Sequence, residues 1–262
     1  MIGIGIDIGS TAAKAAVVDG EGSVAWTCVQ PTGFSSVDAS ERLHEALAAA
    51  GYDVTADDVR VVATGYGRVA VPYAHKVVTE ITCHGTGAVR LFGDHGTVID
   101  VGGQDTKVIQ LKSGRVAKFA MNDKCAAGTG RFYEAMARSF EMTLPEFSNL
   151  SLGAKNVIPI TAQCTVFAES EVITLVGEGK PMDEIAAGIQ MAVAKRCFVM
   201  AKKAGATDSI TLTGGCAKNA GLKQAIEHVL KLKVIDLKTD PQLMGALGAA
   251  EYARQKGLSK GV

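Results

Sequence analysis

One short pattern of residues occurs twice in the chain and limits the folds that it can adopt. Residues 6–18 read I-D-I-G-S-T-A-A-K-A-A-V-V, and residues 99–110 read I-D-V-G-G-Q-D-T-K-V-I-Q. In each copy an aspartate ends an apolar run, a glycine follows two residues after it, and a lysine follows seven residues after it. A strand, a polar glycine turn and a second strand, used twice, predict a duplicated α/β fold with a cleft between two halves.

The 262-residue chain is long enough for two small halves of this kind. Helical spacing of apolar residues predicts helices at residues 40–50, 128–141, 165–178, 181–204 and 242–256. Apolar runs predict strands at residues 59–63, 97–101 and 209–213. We predict a first subdomain at residues 1–95 and a second at residues 96–244, with a C-terminal helix at about 245–262 returning to the first.

Charge and hydropathy exclude two classes of partner. The formal net charge is zero and no basic run occurs, which argues against nucleic acid, because neutralising phosphates needs clustered lysine and arginine. The N-terminal stretch has Asp7 inside its apolar run and lacks a basic region and a cleavage site, so it is typical of a buried strand. No apolar stretch is long enough for a membrane span. We therefore expect a soluble, cytoplasmic protein.

The first repeated turn has the composition of a phosphate-binding loop. Backbone N–H groups and hydroxyls at Gly9, Ser10, Thr11 and Ala12 would point into one concavity, which suits phosphate oxygens. Lys14 would help to neutralise the phosphates, although a solvated lysine fits the pattern as well. Asp7 is predicted to hold Mg²⁺ through water. An ordinary hairpin capped by a buried aspartate remains the alternative for this turn.

The second repeated turn adds residues suited to hydrolysis. Gly102 and Gly103 would let the backbone approach a ligand closely. Gln104 would orient an attacking water, and Asp105 would hold the metal or polarise that water. Asp100 is the counterpart of Asp7 and is predicted to hold Mg²⁺ through water. Two such turns facing each other across a cleft would clamp a triphosphate from two sides.

A third glycine turn, T-L-T-G-G-C-A-K-N at residues 211–219, ends a strand and opens a helix. Such bare backbone suits a flat ligand such as adenosine. The predicted contacts here are Gly214, Gly215, Lys218 and Asn219. The stretch at residues 241–250, which includes Gln242, is also small enough to flank the adenine. Close packing of a helix on a strand is the alternative for both stretches.

Two common nucleotide motifs do not account for the chain. It has no G-x-x-x-x-G-K-[ST] sequence, so it is not a P-loop protein. Residues 65–70, G-Y-G-R-V-A, match the loose dinucleotide fingerprint, but no convincing second βαβ unit with a suitably spaced acidic residue accompanies them. NAD binding is therefore not predicted.

Two of the six cysteines lie just ahead of predicted helices. One is Cys125 in N-D-K-C-A-A-G-T-G-R-F, immediately before a small glycine-rich turn that opens a helix. The other is Cys164 in C-T-V-F-A-E-S-E, where Thr165 is the predicted N-cap. The positive end of a helix stabilises a thiolate and any anionic metal cluster bound there. A cubane cluster needs four thiolates, which a two-fold dimer would supply as two from each chain. This predicts one [4Fe–4S] cluster on the dimer axis. Unrelated buried thiols and a redox dithiol remain alternatives.

Six sequence blocks occur in one order across nearly the whole chain: D-I-G-S-T-A-A-K, A-T-G-Y-G-R, D-V-G-G-Q-D, N-D-K-C-A-A-G-T-G-R-F, C-T-V-F-A-E-S-E and T-G-G-C-A-K-N. Together they resemble the activator (component A) of 2-hydroxyacyl-CoA dehydratases, of the BadF/BadG/BcrA/BcrD type. The two cysteine blocks are highly specific to that group. The phosphate turns alone would indicate only the wider actin, sugar-kinase and heat-shock-chaperone ATPase fold.

The resemblance implies an oxygen-sensitive homodimer with ATP or ADP, Mg²⁺ and one bridging [4Fe–4S] cluster, whose ligands carry over to Cys125 and Cys164. It implies nucleotide contacts on the three glycine turns, to which we add Gly128 and Gly130. The implied function is ATP-driven transfer of a low-potential electron from ferredoxin or flavodoxin to a partner iron–sulfur enzyme. A 2-hydroxyacyl-CoA dehydratase is the first partner to consider.

Three other functions stay open at this point. The first is a small-molecule kinase, for a sugar or an acid, on the same fold. The second is the ATPase subunit of an aromatic-ring CoA-ester reductase, which would use the same activator chemistry. The third is a nucleotide sensor or ATP-gated scaffold, which would bind nucleotide and dimerise without partner-dependent hydrolysis.

Overall fold

The computed structural model describes residues 1–161 and 164–256. The chain divides into two compact units. The first unit contains residues 1–94, 111–116 and the C-terminal part from residue 237. The second unit contains residues 95–110 and 117–236. Each unit has its own hydrophobic core and its own glycine turns, and each is described by itself.

The first unit is built on a five-stranded mixed sheet of order β3-β2-β1-β4-β5. Its strands are β1 (Ile2–Ile8), β2 (Ala12–Val18), β3 (Val24–Pro31), β4 (Val59–Thr64) and β5 (Lys76–Val77). Strands β1, β2 and β3 form an antiparallel meander, whereas β4 runs parallel to β1 and β5 runs parallel to β4. Asp7 and Thr64 are paired in the β1–β4 register, which brings the ends of these two strands together.

Three helices complete this unit: α1 (Ser36–Ala49), α2 (Glu80–Phe92) and α8 (Met244–Lys256). Helix α8 packs closely on β1, and the glycines of the first strand make this approach possible. A Cβ atom at Gly3 would lie 2.1 Å from the Ala250 carbonyl oxygen, and one at Gly5 would lie 1.9 Å from the Ala246 carbonyl oxygen. Only glycine leaves room for a helix backbone at this distance.

The second unit is built around a four-stranded sheet of order β8-β7-β6-β9. Its strands are β6 (Gly96–Val101), β7 (Thr106–Lys112), β8 (Arg115–Asn122) and β9 (Ile210–Thr213). Strands β6 and β9 are parallel, and Asp100 pairs with Thr213 in their register. The helices are α3 (Gly130–Ser139), α4 (Leu144–Leu150), α5 (Thr165–Gly177), α6 (Met182–Ala204) and α7 (Ala220–Leu230).

The predicted helices and strands are confirmed, with small shifts at their ends. The helix predicted at residues 40–50 begins earlier, because Ser35 is its N-cap and the Ser35 hydroxyl accepts a hydrogen bond from the Asp38 amide. The helix predicted at residues 242–256 starts with a short 3₁₀ turn, Pro241–Leu243. No helix in the described ranges combines the length and hydropathy that crossing a membrane requires.

Candidate functional site

The first glycine turn is a tight hairpin joining β1 to β2. The Gly9 amide donates to the Ala12 carbonyl oxygen at 3.0 Å, which closes the turn. Thr32, which follows β3, holds the turn from the side: its hydroxyl donates to the Gly9 carbonyl at 2.7 Å, and its amide donates to the Thr11 carbonyl at 3.0 Å. Ser10 and Thr11 lie at the tip, and Thr11 is exposed. The tip is therefore accessible, while its base is fixed.

Asp7 is buried at the base of this turn, with a side-chain exposure of 2%. Its Oδ2 atom lies 2.8 Å from Lys14 Nζ. Its Oδ1 atom is also buried but has no hydrogen-bond partner among the described residues. Gly65 and Gly245 flank the carboxylate: a Cβ at residue 65 would lie 2.3 Å from Oδ1, and one at residue 245 would lie 2.6 Å from Oδ2. One carboxylate oxygen thus retains its full capacity to accept a hydrogen bond.

The second glycine turn joins β6 to β7 and is closed in the same way, by the Gly102 amide donating to the Asp105 carbonyl at 2.9 Å. Here the lysine is more deeply buried and contacts two carboxylates. Lys107 Nζ, whose side chain is 1% exposed, lies 2.8 Å from Asp105 Oδ2 and 3.3 Å from Asp100 Oδ2. The Thr213 hydroxyl donates to Asp100 Oδ1 at 2.7 Å. Both Asp100 oxygens therefore have partners, while Gln104 is exposed on the turn.

The third glycine turn follows β9 in the second unit. Gly214 has a φ of +82°, and a Cβ there would lie 2.4 Å from the Val101 carbonyl oxygen, so this position requires glycine. Gly215 and Lys218 are exposed.

The Asn219 side chain is the N-cap of α7, where its Oδ1 accepts hydrogen bonds from the Leu222 amide and the Ser148 hydroxyl. Gln242, the other predicted contact, lies in the first unit, where its backbone amide donates to the Asp240 side chain.

The second glycine turn is bonded directly to the helix that follows Cys125. The first amides of α3, those of Gly130 and Arg131, donate to the carbonyl oxygens of Gly102 and Gly103 at 2.8 and 2.9 Å. These amides have no partner within their own helix, because the first turn of any helix leaves its N–H groups unpaired. The turn therefore caps α3, and the Gly130 amide is already used inside this unit.

The loop carrying Cys125 is held at both ends while the cysteine itself is exposed. The Asn122 side-chain amide donates to the carbonyl oxygens of Cys125 and Ala127 at 3.0 and 3.3 Å. The Thr106 hydroxyl, at the start of β7, donates to the Gly128 carbonyl at 2.7 Å in a buried contact. This arrangement fixes the loop backbone and leaves the Cys125 thiol accessible.

Cys164 is also exposed and occupies the N-cap position of α5. The prediction that Thr165 is the N-cap is wrong: Thr165 is the first helical residue, and its hydroxyl is buried without a hydrogen-bond partner in the described part of the chain. The chain before the cysteine is held by Glu171, whose carboxylate accepts hydrogen bonds from the amide and hydroxyl of Thr161. Both predicted cluster cysteines thus lie at or before the N-terminus of a helix.

The other four cysteines are buried or partly buried. Burial raises the pKa values of the Cys83, Cys197 and Cys216 thiols to about 12, and it raises the pKa of Cys28 as well. Because the thiolate is the nucleophile and the metal ligand, these four thiols are poor candidates for either role. Exposure separates Cys125 and Cys164 from the rest.

Sequence reasoning left three polar residues without a function. Lys107 was visible in the repeat, but its contact with two carboxylates was not predicted. Thr106 carried no signal, since a threonine in or beside a strand is ordinary in a sheet. The repeat could have identified Thr213, because in both units the parallel neighbour strand ends in a threonine followed by a glycine, as Thr64-Gly65 and as Thr213-Gly214.

A comparison with protein families matches residues 4–253 to the BadF/BadG/BcrA/BcrD ATPase family. Among curated proteins, the activator of lactoyl-CoA dehydratase from Anaerotignum propionicum is 43% identical over 263 residues, covering 99% of this chain and 100% of that protein. The family resemblance predicted from the six sequence blocks is confirmed.

Two solved structures resemble the chain over almost its whole length. Component A of the (R)-2-hydroxyglutaryl-CoA dehydratase from Acidaminococcus fermentans has a TM-score of 0.92 at 36% identity, covering 99% of this chain and 100% of that one. The activator of the 2-hydroxyisocaproyl-CoA dehydratase from Clostridium difficile, with bound ADPNP, has a TM-score of 0.89 at 38% identity, covering 98% and 96%. A ROK family glucokinase from Streptomyces griseus is 18% identical with a TM-score of 0.59, covering 97% and 100%, which supports the predicted fold alone.

Proposed function

The chain belongs to the BadF/BadG/BcrA/BcrD ATPase family, and from this premise we propose that it is an ATP-hydrolysing activator that delivers a low-potential electron. The proposed recipient is a partner iron–sulfur enzyme, a 2-hydroxyacyl-CoA dehydratase, and the proposed donor is ferredoxin or flavodoxin. Relatives whose names describe dehydratase activators support the choice of partner. A relative from the benzoyl-CoA reductase of Thauera aromatica, 31% identical, keeps an aromatic-ring reductase as the alternative recipient.

The chemistry of the thiols fits a [4Fe–4S] cluster shared by two chains. Cys125 and Cys164 are exposed and stand at or before helix N-termini, whereas burial disfavours the thiolate of the other four cysteines. Two thiolates from each chain would complete the four-ligand set in a homodimer. When bound, the cluster would supply one-electron chemistry. The residues of this chain would hold it, and the helix ends would stabilise its negative charge.

The environment of Asp7 fits a hydrated Mg²⁺ ion. A buried carboxylate oxygen without a donor is costly, and a water molecule on Mg²⁺ is a suitable donor for it. Asp100 is more fully occupied, by Lys107 and Thr213. We therefore propose Asp7 as the principal metal-water acceptor and Asp100 as the weaker one. We propose that Gln104 orients the attacking water and that Asp105 holds the metal or polarises that water. The nucleotide cleft between the two halves stays a prediction.

The observation that carries this proposal is the direct bonding between the second glycine turn and the Cys125 segment. The carbonyls of Gly102 and Gly103 cap α3, which begins five residues after Cys125. A change in this turn on binding or losing a γ-phosphate would therefore move the start of α3. Because hydrogen bonds link the turn that carries the proposed hydrolytic residues to this helix, ATP turnover could alter the surroundings of Cys125.

The first experiment is to measure iron and sulfide per dimer, with an EPR spectrum after dithionite reduction, on protein purified without oxygen. About four irons per dimer and a reduced-cluster signal are expected. Cys125→Ser should lose both, while Cys216→Ser, which removes a partly buried thiol, should keep them. No iron after anaerobic reconstitution, together with phosphate transfer to a sugar, would replace this proposal with a kinase function.

Two further measurements test the assigned roles. In metal-free, reduced protein, Cys125 and Cys164 should react rapidly with a thiol reagent and the other four cysteines slowly. Burial raises the pKa of each of these four, to about 12 for Cys83, Cys197 and Cys216, which leaves little thiolate. Gln104→Ala should slow ATP hydrolysis while permitting ATP binding. Wild-type turnover in that variant would remove Gln104 from the mechanism.

A further inference from the structure

Three residues at the junction between the second glycine turn and β7 contact two different parts of the second unit. Side chains alternate between the two faces of a strand, so Asp105 and Lys107 point one way and Thr106 points the other. Asp105 and Lys107 form the ion pair inside the glycine turn. Thr106, which is 1% exposed, donates its hydroxyl hydrogen bond to Gly128. Three consecutive residues therefore connect the proposed hydrolytic turn with the loop that carries Cys125.

The Gly128 carbonyl in that loop is buried, and losing the Thr106 hydrogen bond would leave it without this partner. Gly128 lies three residues after Cys125 and has a φ of +90°, and a Cβ there would lie 3.0 Å from the Arg196 side chain. The residue is buried, so its carbonyl has no access to bulk water to replace a lost partner. Because an unpaired buried carbonyl is costly, the loop backbone should follow the Thr106 hydroxyl when β7 shifts.

We infer that Thr106 is a positioning residue that transmits the nucleotide state of the second glycine turn to the Cys125 loop. This inference rests on the proposed function, since it requires that nucleotide binds at that turn. The Thr106 hydrogen bond is separate from the capping of α3 by Gly102 and Gly103, which holds the helix after the loop. Thr106 holds the loop itself, through a side chain that can be changed without altering the backbone bonds to α3.

Replacement of threonine by valine removes the hydroxyl and keeps the shape of the side chain. Thr106→Val should therefore weaken the link between turn and loop while leaving both in place. The chain supplies a matched control in the same unit: Thr211 is fully buried, and its hydroxyl donates to the Ile235 carbonyl, also at 2.7 Å. Thr211→Val loses the same kind of bond, but to the segment after α7 instead of the Cys125 loop. Thr106→Ser should restore the link.

The measurement is the alkylation rate of Cys125 by iodoacetamide in iron-free, reduced full-length protein, resolved by mass spectrometry. It is made with Mg²⁺ alone and with Mg²⁺ and a non-hydrolysable ATP analogue. In wild type, in Thr211→Val and in Thr106→Ser, the analogue should change the rate by about fivefold or more, the low end of allosteric coupling. In Thr106→Val the change should fall below about twofold. Equilibrium binding of the analogue is measured for each variant.

Three results would overturn the proposed role of Thr106. A Thr106→Val protein that binds the analogue and keeps the wild-type rate change would overturn it, as would a Thr211→Val protein that loses the response equally. A wild type that binds the analogue with no change at Cys125 would overturn it too, since there would be nothing to transmit. Absence of nucleotide binding in wild type would instead be a failure of the proposed function. If Thr106→Val fails to fold, Thr106→Ala with the same control gives the comparison.

Discussion

The two repeated turns have the same sequence pattern but different hydrogen bonding. In each unit an aspartate at the end of one strand pairs in register with a threonine on the parallel neighbour: Asp7 with Thr64, and Asp100 with Thr213. In the second unit the threonine hydroxyl donates to the carboxylate at 2.7 Å. In the first unit the Thr64 hydroxyl makes no hydrogen bond to Asp7 Oδ1, and Asp7 Oδ1 has no hydrogen-bond partner among the described residues. The repeat therefore fixes the positions of these groups but leaves their pairing to the surroundings.

The difference indicates that the second turn is stabilised internally, whereas the first turn has a carboxylate oxygen available for a ligand. The second turn satisfies Asp100 with Thr213 and Lys107 and uses Lys107 to hold Asp105 as well. It is held together by side chains of its own unit. The first turn keeps one buried carboxylate oxygen without a donor, which is costly unless a ligand supplies one. The same substitution should therefore change stability and ligand binding differently in the two turns.

The largest difference is expected for the two lysines. Lys107→Met should lower the free energy of unfolding by about 3–5 kcal/mol, because it leaves two close carboxylates without their buried counter-ion. Lys14→Met should cost less, since Lys14 contacts one carboxylate and is more exposed, at 12% against 1%. Urea denaturation of both variants measures this. Equal losses would contradict the view that the second turn is the more tightly self-bonded one.

The paired threonines give the most direct test. Thr213→Val should cost about 1.5–3 kcal/mol of unfolding free energy, because the lost hydrogen bond is to a charged group. Thr64→Val should cost much less, since the Thr64 hydroxyl donates no hydrogen bond to Asp7 and has only the weakly bonding Cys83 thiol beside it. The two substitutions are identical in chemistry and in strand position. A large cost at Thr64 would mean that its hydroxyl does bond to Asp7 in solution.

The glycines that follow these threonines should also differ in effect. Gly65 and Gly214 have φ values of +88° and +82°, so alanine at either position should cost about 1–3 kcal/mol of strain. At residue 214 the added Cβ would lie 2.4 Å from the Val101 carbonyl oxygen and 3.2 Å from Asp100 Oδ1. At residue 65 it would also meet Asp7 Oδ1. We therefore expect Gly65→Ala to weaken Mg²⁺-dependent nucleotide binding beyond its effect on thermal stability. Gly214→Ala should show a smaller Mg²⁺-specific defect, because its Cβ would approach the aspartate oxygen less closely.

The smallest effect concerns the metal. Asp7→Asn should raise the Mg²⁺ concentration needed for half-maximal nucleotide binding by about tenfold, as expected when a group that orients the metal's ligands is changed. Asp100→Asn should alter this concentration less and should lower thermal stability more, because it weakens the contacts to Lys107 and Thr213. Calorimetric titrations at several Mg²⁺ concentrations separate the two effects. The reverse ranking would assign the metal water to Asp100.

Much of the fold could be predicted from local sequence. Turn glycines, apolar periodicity and helix caps act over a few residues, so the helices after Cys125 and Cys164 and the strands before the glycine turns were predicted with only small shifts. The N-cap at Cys164 was mispredicted, because Thr165 is a common capping residue and only the backbone geometry shows that the helix already includes it. Helices α2 and α4 were not predicted.

Residue types at fixed spacings were enough to identify the repeat, the positions of the two cysteines and the family. The packed structure was needed to show which carboxylate oxygens have hydrogen-bond partners, which thiols are exposed, and that Thr106 bonds to the Cys125 loop. Asp100 and Thr213 lie 113 residues apart in the chain, and Thr106 and Gly128 lie 22 apart. Such contacts depend on strand register and packing, and two turns that share a sequence pattern therefore acquire different chemistry.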